Sequence, residues 1–192
     1  MQETIIEERE EMGSKEILYA IPVYKDGRGD ITKILFQGGR KRYRSIHIRT
    51  FIKKVAYENY IDIFSLKKIL QEQLGQKNIL PYPIHSELIF IPMKVRRPRL
   101  KKDGAYGYIN FIWIKSIEKR GEYSRIYFRD GCYLDVLQHI QSINRKMMQG
   151  TWLRDCFLPR FTYPTGANKE ESVCREELQQ IIGKLVKVYK EL

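Results

Sequence analysis

Residues 106–114 (YGYINFIWI) form the most apolar stretch of the chain, and bulky side chains fill successive positions in it. Such a run is typical of a strand that is covered on both faces, because successive side chains of a strand point to opposite sides. The pattern continues through "KSIEKR", so we predict one long strand over residues 106–120. Six of the ten residues 93–102 just before it are cations, and the first acid is Asp103. A charged loop at the surface must therefore lead directly into a buried strand.

The rest of the chain alternates between strand and helix patterns. Apolar alternation around "KDGRGD" predicts a hairpin over residues 16–39, and a second hairpin is predicted across "RDG", with Asp130 and Gly131 at its turn. A short strand is predicted over residues 88–91, and another over 43–48 before the spacing becomes helical. Together these patterns predict an α+β fold with a mainly antiparallel β-sheet core and a few amphipathic helices, the last at the C-terminus.

Helix ends are predicted from capping residues and glycines. "SLKKILQEQLG" has Ser65 as its N-cap candidate and Gly75 as the residue that ends the helix. From Asp135 onward, apolar residues recur at helical spacing up to Gly150, which we expect to end that helix. A last amphipathic helix is predicted over residues 166–192.

The charge of the chain is high and unevenly distributed. The net charge is +12, yet residues 1–16 hold six Glu against two cations, so residues 17–192 carry 33 basic and 17 acidic side chains. Solubility requires a net charge of only about 2–8 in magnitude, whereas a clustered excess is typical of proteins that bind nucleic acid. We therefore divide the chain into an acidic N-terminal tail (1–16), an α+β DNA-binding core (17–165) and the C-terminal amphipathic helix (166–192).

Sequence signatures of catalysis, metal binding and export are lacking. There is no P-loop, H-E-x-x-H or G-x-S-x-G motif, and the loop at Asp26 has Gln37 where a calcium loop needs Glu. Cys132, Cys156 and Cys174 are too far apart for the paired ligands of structural zinc. No apolar run approaches the roughly 18 residues of a membrane span, and the first residues form no signal segment. We expect a cytoplasmic protein at the nucleoid that is not an enzyme and holds no cofactor or metal.

Three groups of basic residues are candidates for DNA binding. The first is a loop stiffened by Pro98, whose guanidinium groups suit the narrow minor groove of A·T tracts. Its members are Lys94, Arg96, Arg97, Arg99, Lys101 and Lys102, and we expect Arg96, Arg97 and Arg99 to enter the groove. The second group comprises Arg40, Lys41, Arg42 and Arg44, followed by Arg49, Lys53 and Lys54. The third, a weaker candidate, comprises Arg145, Lys146, Arg154 and Arg160.

Aromatic residues lie between the cations of the second group. Tyr43 and Phe51 would suit base stacking on single strands. They would equally suit the core, which is the interpretation that we favour for Phe51. The sequence therefore leaves open a choice between duplex DNA and single-stranded nucleic acid.

Three stretches follow one another within residues 86–160: "IFIPMKVRRPRLKKDGAYGYINFIWIKSIE", "RIYFRDGCYLDV" and "QGTWLRDCF". Together they resemble the family of ComK competence transcription factors. The shared features are a Phe-x-Pro strand end at Phe90 and Pro92, a basic loop, a Gly-aromatic-Ile strand, a DG hairpin and a helix that contains Trp152-Leu153-Arg154. A weaker, fold-level similarity links the paired strands and the DG turn to LytTR DNA-binding domains.

The ComK resemblance implies a bacterial transcriptional activator of the genes for DNA uptake. Such a protein binds paired A/T-rich boxes, partly through the minor groove, as a dimer that assembles further on the promoter. The resemblance also implies delivery to the Clp protease by a MecA-type adaptor, through an apolar segment that ends in Pro. Candidates for this docking segment are Phe157, Leu158 and Pro159, or Tyr163 and Pro164.

The partners expected from these features are double-stranded A/T-rich DNA, further copies of the chain and a MecA-type adaptor, with no membrane. The alternative hypothesis is a regulatory module that binds RNA or single strands and has no role in competence.

Overall fold

The computed structural model describes residues 16–159, which form an α+β fold. The strands are β1 (Ile17–Lys25), β2 (Gly29–Phe36), β3 (Lys41–Arg44), β4 (Tyr82–His85), β5 (Leu88–Lys94), β6 (Tyr106–Asn110), β7 (Ile114–Arg120), β8 (Tyr123–Phe128) and β9 (Tyr133–Val136). The helices are α1 (Ile48–Glu58), α2 (Ile63–Leu74) and α3 (Ile140–Trp152). The predicted fold class is confirmed. Residues 1–15 of the acidic tail and the predicted helix 166–192 lie outside the described residues.

A six-stranded antiparallel sheet forms the centre of the fold, in the order β3-β2-β1-β6-β5-β4. Its two faces belong to two core clusters, and β5 shows the division most clearly. Leu88 and Phe90 enter the cluster that packs against α1, whereas Ile89 and Ile91 enter the cluster that contains residues of α3 and of the second sheet. Since side chains alternate along a strand, a sheet with two covered faces needs bulky residues at successive positions.

The predicted single strand over residues 106–120 is wrong, because the chain leaves the large sheet at Asn110. It makes one 3₁₀ turn and continues as β7 in a second sheet of order β7-β8-β9. The Asn110 side chain accepts a hydrogen bond from the Ile112 N–H (3.2 Å) at the start of that turn. Its amide nitrogen donates to the main-chain carbonyls of Ile17 (3.0 Å) and Glu87 (2.9 Å). One polar residue therefore divides the apolar run between two sheets.

The two edges of the large sheet carry residues that discourage further pairing. Pro83 lies in β4, a strand that the sequence analysis missed because proline usually interrupts strands. An edge strand accepts proline, since its missing N–H can face away from the neighbour. At the other edge, β3 carries Lys41, Arg42 and Arg44, and charge on an edge strand opposes pairing with another chain.

The predicted ends of α2 are half right. Gly75 ends the helix in the left-handed conformation, with φ of 59°, as the sequence indicated. The N-cap, however, is Asp62 and not Ser65, because the Asp62 carboxylate accepts hydrogen bonds from the N–H groups of Phe64 and Ser65. A carboxylate on two N–H groups of the first turn is a stronger cap than a hydroxyl inside the helix.

Helix α3 starts later and ends later than predicted. Residues up to Val136 still belong to β9, so α3 begins at Ile140 and not near Asp135. Gly150 does not end the helix but lies buried inside it. A Cβ atom there would lie 2.6 Å from a ring carbon of Phe111, and this close approach of α3 explains the glycine. Within the described part of the chain, no helix has the length and apolarity needed to cross a membrane.

Candidate nucleic-acid interface

The first basic group lies on the connection between β5 and β6. We call residues 95–105 the basic loop. Lys94 and Tyr106 pair at its base, and the neighbouring hairpin of β1 and β2 turns back between Lys25 and Gly29 at the same end of the sheet. We call this end of the large sheet the loop end. A projecting loop on a rigid sheet is a common arrangement for a binding surface.

A buried ion pair closes the base of the basic loop. Arg96 Nη2 lies 2.6 Å from Asp30 Oδ1, and both side chains are 13% exposed. Arg96 Nε donates to the Gly104 carbonyl (2.6 Å), and the Gly104 N–H donates to Asp30 Oδ2 (3.1 Å). Asp30 therefore holds both sides of the loop at once. We call these three residues the clamp.

Tyr24 supports the next part of the basic loop. The guanidinium carbons of Arg96 and Arg99 lie 4.0 and 4.4 Å from the centre of its ring. Its hydroxyl donates to the Asp103 carboxylate and accepts from the Arg99 N–H (2.7 Å). Asp103 also accepts from the Leu100 N–H (2.8 Å). These hydrogen bonds, that of Tyr24 above all, favour the charged carboxylate and hold the pKa of Asp103 below its usual range.

The clamp changes the role of one predicted contact residue. Arg96 was expected to enter the groove with Arg97 and Arg99, but its guanidinium group is held by Asp30 and by the Tyr24 ring, and we assign it a structural role. The side chains of Arg97, Arg99, Lys101 and Lys102 are exposed. Among the carboxylates that the structure describes, none forms an ion pair with Arg97, Lys101 or Lys102. The basic loop thus presents four cations to solvent, while Lys94 is half-buried at its base.

The first turn of α1 also lies at the loop end. The predicted strand over residues 43–48 is too long, since β3 ends at Arg44 and α1 begins at Ile48. His47 is the N-cap: its Nδ1 accepts from the Arg49 N–H (3.2 Å), and its Nε2 lies 3.6 Å from Asp30 Oδ2. The positive end of the α1 dipole therefore adds to the positive potential around the basic loop.

The second basic group is divided along β3. Arg44 pairs with Thr32 near the loop end, whereas Lys41 pairs with Leu35 three residues further along. Three residues of a strand span about 10 Å. Arg44 therefore lies toward the basic loop, and Lys41 lies toward the opposite end of the sheet.

Several members of the second group already have partners. Arg40 forms an ion pair with Glu16 (2.9 Å), and the guanidinium groups of Arg40 and Arg42 lie 4.9 and 5.6 Å from the centre of the Phe36 ring. Phe51 is buried in the core, as favoured from the sequence. Tyr43 receives the Lys25 ammonium 4.9 Å from its ring centre. The interleaved aromatics of this group do not form an open stacking surface.

The third basic group does not join the basic loop. Arg154 Nε lies 2.6 Å from Asp155 Oδ1, and its guanidinium carbon lies 5.5 Å from the centre of the Phe111 ring, just beyond the far end of β6. Lys146 lies closer to the basic loop, with its ammonium 6.0 Å from the centre of the Tyr106 ring. Arg160 lies outside the described residues.

The proposed docking segment for an adaptor is partly buried. Phe157 is a core residue, 5.7 Å from Trp152 between ring centres, and Leu158 and Pro159 are half-buried. Tyr163 and Pro164 lie outside the described residues. In this conformation Phe157 is not accessible to a partner protein.

Lys146 gives a prediction for the pH dependence of stability. Burial, and secondly the charge of Arg145, lowers its pKa from 10.5 to about 8. Below pH 8 the folded protein holds a charged ammonium that burial disfavours, and this cost disappears as pH rises from 8 to 10.5. We expect Lys146→Met to raise the free energy of unfolding by about 1 kcal/mol at pH 7, after allowance for solvent screening. Urea unfolding at pH 7 and pH 10.5 measures this difference, and an advantage that persists at pH 10.5 would contradict it.

Sequence analysis missed an apolar residue at the tip of the basic loop. Leu100 is 69% exposed, between Arg99 and Lys101. The Asp103 N–H donates to the Leu100 carbonyl (3.1 Å), so a tight turn presents this side chain to solvent. The only signal in the sequence was a leucine inside a run of cations.

The described residues were also compared with the pattern of a metal site and the whole chain with known proteins. Among residues 16–159, no group of three His, Cys, Asp or Glu side chains could hold a metal ion. No family model matches the chain, and searches of curated proteins and of solved structures found no match either. The residues and their geometry are therefore the basis for inferring the function.

Proposed function

We propose that this protein is a DNA-binding transcriptional activator that docks its basic loop on A/T-rich duplex DNA, partly through the minor groove. The observation that carries the proposal is the clamp. Six cations in ten residues repel one another, and Asp30 beneath the loop and Asp103 within it offset part of that repulsion. Four cations remain exposed on a loop whose base is fixed, which lowers the entropy lost on binding a polyanion.

The shape of the loop tip favours the minor groove. Architectural proteins commonly read that groove with arginine and insert an apolar side chain between base steps. Arg97 and Arg99 are candidates for the first role, and Leu100, at the tip, is a candidate for the second. Pro98 between the two arginines restricts the backbone of the strip. Narrow grooves of A·T tracts attract guanidinium groups through their enhanced negative potential.

The biological setting of the proposal comes from the sequence resemblance alone. It adds competence genes as the target, paired boxes as the operator and a dimer or larger assembly on DNA. It also adds control by a MecA-type adaptor and the Clp protease. Because Phe157 is buried, the candidate docking segment is the one around Tyr163 and Pro164.

The test is fluorescence anisotropy on three labelled oligonucleotides across a salt series. These are a duplex with two spaced A/T tracts, a G·C-rich duplex of equal length and a single strand. Replacing Arg97, Lys101 and Lys102 together by alanine leaves the clamp intact. We expect the slope of log affinity against log salt to become shallower by about 3, and affinity for the A/T duplex to fall at least tenfold, since each cation releases counterions from one phosphate.

The matched control removes the same number of charges elsewhere, by alanine at Lys77, Lys115 and Lys119. These side chains are exposed and lie outside the basic loop. We expect this variant to keep the slope of the parent protein to within about 1. If both triple variants lose the same affinity, only net charge matters and the loop assignment is wrong. If the parent protein binds the A/T-rich and the G·C-rich duplexes equally, the activator proposal fails.

A further inference from the structure

Three large aromatic side chains lie exposed at the corner between α1 and α2. Tyr57 is 81% exposed, Tyr60 100% and Phe64 68%. Tyr57 lies in the last turn of α1, Tyr60 just beyond it and Phe64 in the first turn of α2. Aromatic side chains contribute most to stability when buried, so three exposed together require another explanation. We call these three residues the aromatic corner.

Tyr60 occupies a backbone position that normally belongs to glycine. The N–H of Tyr60 donates to the Tyr57 carbonyl (3.0 Å), and the N–H of Ile61 donates to the Ala56 carbonyl (2.9 Å). These two bonds define a Schellman motif, and its left-handed residue is Tyr60, with φ of 59°. A side chain in this conformation is strained, and a fully exposed ring gains nothing from packing. Such uncompensated strain is typical of functional positions.

Two cations of α1, Arg49 and Lys53, lie on the same helix face as Tyr57 of the aromatic corner. The Lys53 ammonium lies 5.1 Å from the centre of the Phe64 ring. Arg49, Lys53 and Tyr57 are exposed and four residues apart, so they form one stripe along α1. The stripe spans about 12 Å and runs from the loop end to the aromatic corner.

The two acids at the corner are already engaged. Asp62 accepts hydrogen bonds from the N–H groups of Phe64 and Ser65 as the N-cap of α2. Glu58 lies 3.8 Å from Lys54. The stripe and the rings together therefore present positive charge beside exposed π faces. This combination matches an anionic strand with accessible bases, and an apolar protein surface would leave the cations without partners.

We propose that the aromatic corner binds unpaired nucleotides, with bases stacked on Tyr57, Tyr60 and Phe64 and phosphates near Arg49 and Lys53. Duplex DNA does not offer base faces for stacking, so this site is separate from duplex binding by the basic loop. The proposal does not depend on the duplex being the physiological target. Stacking on aromatic side chains accepts any base and either sugar.

The test compares a twelve-nucleotide oligo-dT with an abasic strand of the same length and charge. Both carry the phosphates, but only the first carries bases. We expect the parent protein to bind oligo-dT at least tenfold more tightly, and Tyr60→Gly to remove most of that difference. Because glycine fits the left-handed conformation, the same variant should raise the melting temperature by about 2–4 °C. Weaker binding by a more stable protein excludes unfolding as the cause.

Two further variants serve as controls. Tyr60→Phe keeps the ring and should keep the preference for bases. Tyr133→Ala removes another exposed ring, one that carries the Arg125 guanidinium 4.1 Å from its centre, and should change nothing. Comparing the affinities for an rU oligomer and for oligo-dT of the same length shows whether the site prefers RNA or DNA.

Three outcomes would overturn the proposal. Equal binding of oligo-dT and the abasic strand by the parent protein would show that only charge acts. If the Tyr60→Gly variant still prefers oligo-dT over the abasic strand as strongly as the parent protein does, the bases stack at another site. A changed oligomeric state in sedimentation, with unchanged binding of oligo-dT, would make the corner an interface between copies of the chain. Since Tyr60→Gly leaves the basic loop intact, its affinity for the A/T duplex reports separately on the proposed duplex function.

Discussion

Replacing Asn110 by alanine should lower the free energy of unfolding by about 4 kcal/mol, because its fully buried side chain satisfies four main-chain groups. Two of these hydrogen bonds, to the Ile89 N–H (3.3 Å) and the Ile17 carbonyl (3.0 Å), are buried. A buried main-chain group without a partner costs about 1–3 kcal/mol. Chemical denaturation with a two-state fit measures the loss.

The control for Asn110→Ala is the same substitution at Asn59, whose side chain makes one hydrogen bond to the main chain. Asn59 Nδ2 donates to the Val55 carbonyl (2.8 Å), so Asn59→Ala should cost only about 1 kcal/mol. Asn110→Asp keeps the volume and an acceptor oxygen but replaces the amide N–H groups by a buried carboxylate that faces two carbonyl oxygens, so it should destabilise the fold at least as much as alanine. A loss below about 1 kcal/mol for Asn110→Ala would show that water replaces the side chain and that Asn110 does not fix the point at which the chain leaves the large sheet.

Replacing Asp30 by alanine should cost about 3 kcal/mol of stability and about tenfold in affinity for the A/T duplex, because it leaves the buried Arg96 guanidinium without its carboxylate. The Gly104 N–H loses its acceptor in the same step. The basic loop would then become ordered only on binding DNA, and the conformational entropy lost in ordering it would weaken the affinity. Urea unfolding and anisotropy on the A/T duplex measure the two effects.

A double-mutant cycle isolates the clamp from other effects of Asp30. We expect Asp30→Ala and Arg96→Ala to be coupled by about 2 kcal/mol. The exposed pair of Arg154 and Asp155, 2.6 Å apart, should show less than about 1 kcal/mol in the same cycle. Additivity of the Asp30 and Arg96 variants to within about 0.5 kcal/mol would refute the clamp as the element that holds the loop.

Most elements of the fold could be predicted because their signals are local. The hairpin of β1 and β2, the hairpin at Asp130 and Gly131 and the glycine end of α2 depend on residues within one turn of the chain. The predicted ends of helices and strands were less accurate where a contact with a residue distant in sequence determined them. Gly150 looked like a helix end, but it lies inside α3 because Phe111 packs against it.

The candidate site was predictable in composition but not in arrangement. The sequence marked the basic loop as the densest positive charge, and four of its cations are exposed. It showed nothing of the pairing between Arg96 and Asp30, which lie 66 positions apart. It also grouped Lys41 with Arg44, although β3 places them toward opposite ends of the sheet. The aromatic corner went unnoticed because exposure cannot be deduced from aromatic identity.

By itself the sequence determined the class of the fold and the sign of the surface charge. Both the hydrophobic periodicity and the formal charge can be read from the chain without knowledge of its tertiary contacts. The tertiary structure alone decided which cations are free. Strand order brings Asp30 of β2 beneath a loop between β5 and β6, and a carboxylate neutralises only the guanidinium that the fold places beside it. The same holds for Asn110, whose partners lie at residue 17, at residues 87–89 and in the adjoining 3₁₀ turn, and which divides one apolar run between strands of two sheets.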